Sequence, residues 1–247
     1  MSKNFELMQE ARIRGGALTM DERHLRPAAP NRKAKARVAE VHSEQQETTA
    51  RREEYLGLVQ NLFLARGEGS TRAVVFAGID SGNACSSICA RVAETLAEQR
   101  VGSVCVVDAN LNSPALPQLF GVSPHRGFTS FLSRSGSIKD FTKPVRVENL
   151  WLFLYGSPED LNCGTMEMSV PELRKEFDYV LIDSAPLNTH GDGITLAKLT
   201  DGLVLVLETN STRREAVARV TASLHAAQIK ILGAVLNKPI PEALYIV

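Results

Sequence analysis

The residues best placed to do chemistry lie between Ala73 and Ala97, AVVFAGIDSGNACSSICARVAETLA. Small and β-branched apolar residues (Ala73 to Gly78) lead into a polar, glycine-containing loop (Ile79 to Cys85), and apolar residues at helical spacing follow (Ile88, Val92, Leu96). Strand, loop and helix in that order form an anion cradle, because loop N–H groups and the positive end of the helix converge on one point. The cradle residues are Gly82, Asn83, Ala84, Cys85, Ser86 and Ser87. In the phosphate-loop pattern G-x-x-x-x-G-K-[ST] a glycine and a lysine precede the hydroxyl residue. Here those two positions hold Ala84 and Cys85, while Ser86 and Ser87 keep their hydroxyls. Backbone donors for a phosphate are therefore expected without the side-chain cation.

These residues need a scaffold, and the rest of the chain supplies its pattern. From Ala73 onward, six apolar runs alternate with helical segments: AVVFAG, SVCVVD, LWLFLY, YVLID, LVLVLE and ILGAVLN. Near-continuous apolar runs are strands covered on both faces, and intervening helices such as Ser86 to Gln99 and Arg213 to Ala227 imply a largely parallel, doubly wound α/β sheet. In such sheets ligands bind at the carboxyl ends of the strands. Asp108, Asp183 and Asn237 each stand at such an end, as does the loop after the first strand.

Composition limits the alternatives. With 247 residues there is room for one substantial domain and an appendage. Lysine plus arginine equals aspartate plus glutamate at 28 each and aromatics make up 6%, which argues against nucleic acid as a partner. Cys85, Cys89, Cys105 and Cys163 show no paired C-x-x-C spacing and read as buried reduced thiols rather than metal ligands. No signal peptide or membrane-spanning run is evident, so a cytoplasmic protein is expected. Residues 1–50 have few large apolar side chains and a basic stretch from Arg23 to Arg37, and read as a mostly disordered arm ahead of a domain over 51–247. Within that domain, Tyr55, Leu58, Val59, Leu62 and Phe63 share one helical face that should pack on the core.

Cys85 and Arg91 also fit the C-x5-R spacing of cysteine phosphatases. The intervening SSICA has no glycine and reads as the first turns of a helix, which carries Arg91 away from the anion.

The phosphate-loop-like stretch, VVDANLNSPALPQLFG at 106–121, FDYVLIDSAP at 177–186, DGLVLVLETNSTRREA at 201–216 and ILGAVLNKPIPEALY at 231–245 together resemble the bacterial tyrosine kinases (BY-kinases) of capsule and exopolysaccharide assembly. Those kinases are relatives of the MinD and ParA ATPases and have a P-loop NTPase fold. The resemblance implies ATP or ADP with Mg2+ as cofactor. It places Cys85 at the phosphate-binding lysine and Ser86 at the metal-binding hydroxyl. Asp108 falls at the Walker A′ aspartate and Asp183 at the Walker B aspartate, both catalytic and metal-binding by this likeness, and Asn237 at the adenine-reading asparagine. It also implies a membrane-embedded polysaccharide chain-length regulator as partner, with this chain at the inner face of the membrane.

The departures from that family point to weak nucleotide binding and low kinase activity. The Walker A′ pattern D-x-D appears as Asp108, Ala109, Asn110, and Gly156, Pro158 and Pro171 are expected to break any long helix before Phe177. The family's tyrosine-rich tail is reduced to Tyr245. Its ring-forming E-x-x-R-x-x-R pattern, started at Glu53, has Leu56 and Val59 in place of the arginines, so a monomer or small oligomer is expected. The readings left open are a degenerate kinase that regulates polysaccharide polymerisation or export in response to nucleotide, an active kinase or ATPase using a substitute lysine such as Lys238, and, remotely, a cysteine phosphatase.

Overall fold

A computed structural model describes residues 51–65, 71–80, 84–123, 137–155, 163–209 and 211–237. The expectations for the arm 1–50, for Gly82 and Asn83, and for Lys238 and Tyr245 lie outside those residues. The described chain opens with a helix over 51–64 (α1) whose last turn, Gln60–Leu64, is a π turn. The elements that follow are β1 (Ala73–Gly78), α2 (Ala84–Glu98), β2 (Val104–Ala109), the single turn α3 (Leu116–Leu119), β3 (Thr142–Pro144) and β4 (Leu150–Leu154). After these come α4 (Cys163–Glu176), β5 (Tyr179–Ser184), α5 (Asp192–Lys198), β6 (Leu203–Glu208), α6 (Arg214–Ala226) and β7 (Ile231–Asn237).

Among the described residues seven strands form one sheet in the order β3-β4-β2-β5-β1-β6-β7. Every pairing is parallel except that of β3 with β4. All six apolar runs are strands, as their composition implies. β3 escapes sequence reading because it is three residues long and ends in Pro144, which an edge strand tolerates since its outward N–H pairs with nothing.

Alternation along β1 shows why the runs are apolar throughout. Ala73, Val75 and Ala77 join a core under α4, α5 and α6, while Val74 and Phe76 join a second core under α1 and α2. Each face of the sheet thus has its own helical layer, the doubly wound arrangement. Val59 and Phe63 of α1 are buried in the second core, with Tyr55, Leu58 and Leu62 packed beside them. That face serves the domain's own interior.

Two local readings need correction. Pro171 does not break a helix, because α4 runs through it to Glu176. Met166, Val170 and Leu173 hold one face of α4 in the core, while Pro171 and Glu167 lie on the exposed face. The helix bond that proline cannot donate would have gone to the Glu167 carbonyl, on the side open to water. The loop after β1 is also shorter than expected: α2 already begins at Ala84, so Cys85 lies inside the helix.

Strand starts are tied together at the opposite rim of the sheet. The Asp201 carboxylate accepts from the backbone N–H groups of Arg72 (2.7 Å) and Ala73 (2.8 Å) and from the Arg174 guanidinium (3.0 Å). This anchors the N-terminal ends of β1 and β6 and leaves the carboxyl ends for the site.

Candidate functional site

Asp108 on β2 and Asp183 on β5 are direct partners in the parallel register between those strands. Strand pairing thus brings together two carboxylates distant in sequence, and both are almost completely buried. Asp108 is partnered: its Oδ1 accepts from the Asn110 N–H (3.2 Å) and its Oδ2 from the Leu116 N–H (3.1 Å). Burial pushes its pKa up to about 6, and the backbone donors of Leu116, Asn110 and Ala115 keep it from rising further.

Asp183 is different. Neither of its oxygens has a hydrogen-bond partner among the described residues, although the side chain is 0% exposed. Burial pushes its pKa up to about 7. The Ser86 hydroxyl and the Cys85 thiol stand close enough to lower it without closing a bond, and Asp108 raises it. A buried carboxylate left unsatisfied costs several kcal/mol as a charge, so its presence calls for a cation or a proton.

Ser86 is buried at the start of α2, and Ser87 beside it is exposed. Ala84 opens the helix. Cys85, at the lysine position, is turned inward: its thiol lies against the Gly78 carbonyl and the Asp183 carboxylate, and burial drives its pKa well up. It is a protonated filler, not a nucleophile. Arg91 lies farther along α2 on the exposed face, paired with Glu94 at 2.8 Å. That geometry rejects the cysteine phosphatase reading. Cys89 and Cys105 are buried free thiols, as expected.

Above these groups opens a cavity of about 450 Å3. Gly78, Asp80, Cys85, Ser86 and Ser87 line the β1–α2 side, with Ser184 and Pro186 after β5 and Asn110, Ser113, Ala115, Gln118 and Leu119 after β2. No described lining residue is Lys, Arg or His. The loop after β5 is fastened to the cradle, since Leu187 N–H donates to the Gly78 carbonyl (3.0 Å), Asn188 N–H to that of Ile79 (3.1 Å), and Asn188 Nδ2 to Asp80 Oδ1 (2.6 Å). Asn237 ends β7 on the same rim, two strands from β1 and outside the described lining.

Sequence reasoning thus named Cys85, Ser86 and the two aspartates, which the fold gathers at one place. It missed Asp80, Ser184 and Asn188. Asp80 was visible as the one carboxylate of the loop, whereas Ser184 and Asn188 gain meaning only from the pairing of β5 with β1.

The donor set fits a divalent cation such as Mg2+, because an unpartnered carboxylate (Asp183), a second carboxylate (Asp108) and a hydroxyl (Ser86) are hard oxygen ligands at neighbouring positions. Bound there, the ion would supply the positive charge that a phosphate needs and that the described walls lack.

No protein-family model matches the chain. It is 25% identical over 203 residues to the putative tyrosine-protein kinase CapB of Staphylococcus aureus, spanning 80% of this chain and 88% of that protein. It is 25% identical over 190 residues to the tyrosine-protein kinase YwqD of Bacillus subtilis, spanning 75% and 80%. It is 29% identical over 183 residues to the succinoglycan biosynthesis transport protein ExoP of Rhizobium meliloti, spanning 71% of this chain and 23% of that one. Among solved structures, the chimeric protein CapA2B2 superposes with a TM-score of 0.67 at 22% identity, over 77% of this chain and 85% of that one. The septum site-determining protein MinD of Pyrococcus horikoshii, solved with Mg-ADP, superposes with a TM-score of 0.58 at 19% identity, over 68% and 70%. The fold is therefore that of the MinD and ParA type of P-loop ATPase.

Proposed function

We propose that this chain, a homologue of the CapB, YwqD and CpsD tyrosine-protein kinases, is a degenerate kinase that regulates polysaccharide polymerisation or export in response to a metal-bound nucleotide. The observation that carries the reading is Cys85, a buried neutral thiol at the position of the phosphate-binding lysine, in a cavity with no basic side chain among its described walls. Phosphoryl transfer depends on positive charge around the transferring group, so its loss weakens the transition state most. The groups that favour nucleotide and metal binding remain: the cradle at the start of α2, Ser86, Asp108 and Asp183.

Each residue has a task in this reading. Ser86 and Asp183 hold the metal, with Asp108 beside them; the backbone at the start of α2 donates to phosphate oxygens; Asn237 reads the base from the same rim. The loop Pro186–His190 is tied to Gly78, Ile79 and Asp80, so a change at the cradle is passed to it directly.

The test is restoration. Ala84→Gly with Cys85→Lys should tighten ATP binding about tenfold or more, the equivalent of ~1.4 kcal/mol, and raise tyrosine phosphorylation from a very low level. Wild-type protein that binds ATP at low micromolar strength and phosphorylates tyrosine, both lost in Asp183→Asn, would sink the degenerate-kinase reading.

The partner in this reading is a membrane-embedded polysaccharide chain-length regulator. Among the described residues no helix is long and apolar enough to cross a membrane, and this chain matches only 23% of ExoP, a transport protein. In this reading the partner holds the protein at the cytoplasmic face of the membrane. A tagged protein should recover a polysaccharide-export component from gently solubilised membranes, and repeated failure to do so would leave the partner assignment without support.

A further inference from the structure

We infer that the site selects a nucleoside diphosphate over the triphosphate, with Cys85 and Asp80 as the residues that set the preference. The inference rests on the nucleotide reading above and specifies its ligand. Asp183, fully buried and without a hydrogen-bond partner among the described residues, stands beside Ser86, which lines the cavity.

In a phosphate loop the backbone cradle serves the inner phosphates, and the lysine side chain reaches out to the terminal ones. Here the cradle position persists at Ala84 to Ser87, but Cys85 offers the cavity only a neutral side chain, its thiol lying against the Gly78 carbonyl and Asp183. A terminal phosphate would therefore meet no cation from the described walls. What it would meet is the Asp80 carboxylate, which lines the cavity and is held in place by the Asn188 amide at 2.6 Å.

A triphosphate with its metal carries about one more negative charge than the diphosphate, and that charge is the one unmatched on this surface. A diphosphate ends at the phosphate the backbone holds. Asn188 contributes by keeping Asp80 oriented, and the alternative, a swing of Asp80 into solvent, would give up that hydrogen bond.

Calorimetric titration of the full chain with magnesium-ADP, magnesium-ATP and a non-hydrolysable ATP analogue tests the inference directly. Wild type should bind the diphosphate about fivefold or more tightly than either triphosphate, the scale of one screened charge pair at this range. Asp80→Asn, which keeps the Oδ1 acceptor for Asn188, should narrow that gap by improving triphosphate binding. Cys85→Lys should reverse it. Triphosphate binding as tight as diphosphate in wild type overturns the inference while leaving nucleotide binding intact. If no nucleotide binds even to Ala84→Gly with Cys85→Lys, the nucleotide reading falls and this one with it.

Discussion

Replacing Asp183 by asparagine should stabilise the metal-free protein at pH 8 and not at pH 5. In the folded chain this carboxyl has its pKa moved from the ordinary 3.8 to about 7, chiefly by burial. The folded state therefore holds a proton that the unfolded state has released, throughout the window between those values. Stability is full below pH 3.8 and is lost as pH rises through about 7. The displacement corresponds to roughly 4 kcal/mol at pH 8, taking 1.36 kcal/mol for each tenfold change in proton affinity. The asparagine amide inherits the same unpartnered pocket and gives back about 1–2 kcal/mol. The net gain at pH 8 is about 2–3 kcal/mol, whereas at pH 5, where wild type has lost only about 1.6 kcal/mol, the two proteins are about equal. Thermal unfolding of both proteins in EDTA at the two pH values measures this, with about 2–4 °C per kcal/mol for a domain of this size. Magnesium added at pH 8 should raise the wild-type midpoint and leave the variant unmoved. A wild-type midpoint that does not fall between pH 5 and pH 8, or a variant equally destabilised at both, would refute the account of Asp183 as an uncompensated carboxylate.

Other parts of the molecule yield further expectations. Pro171→Ala should raise stability by about 1–3 kcal/mol in urea unfolding, since α4 already runs through this position and regains an internal hydrogen bond; no gain would mean that the proline is compensated elsewhere. Light scattering should find a monomer or small oligomer, because Val59, at one of the ring pattern's arginine positions, is buried in the domain's own core and Leu56, at the other, is half-buried. A stable ring-sized assembly that persists at high salt and is disrupted by Leu56→Asp would contradict this.

Much of the architecture was legible in the chain itself. Both-face burial leaves an unmistakable mark, so runs such as AVVFAG, YVLID and LVLVLE read as strands covered on both faces without any knowledge of their neighbours. Asp108 and Asp183 stood out because a carboxylate at the end of an apolar run has few reasons to be there. The amphipathic face of α1 and the inert character of Cys85, Cys89 and Cys105 were equally local properties, set by spacing and by the company of small apolar residues.

What the tertiary structure decided concerns neighbours. Periodicity states which side chains turn inward but not which strand lies beside which, so only the register between β2 and β5 reveals Asp108 and Asp183 as partners. The same limit hid Asn188, whose bond to Asp80 depends on β5 lying next to β1, and β3, too short to carry a pattern. Pro171 was misread because propensity is local, whereas the buried face of α4 draws its stability from the core. Above all, the chain could show that a lysine is missing, but only packing shows that Cys85 turns inward and that Asp183 has no hydrogen-bond partner among the described residues, because desolvation is a property of everything that surrounds an atom.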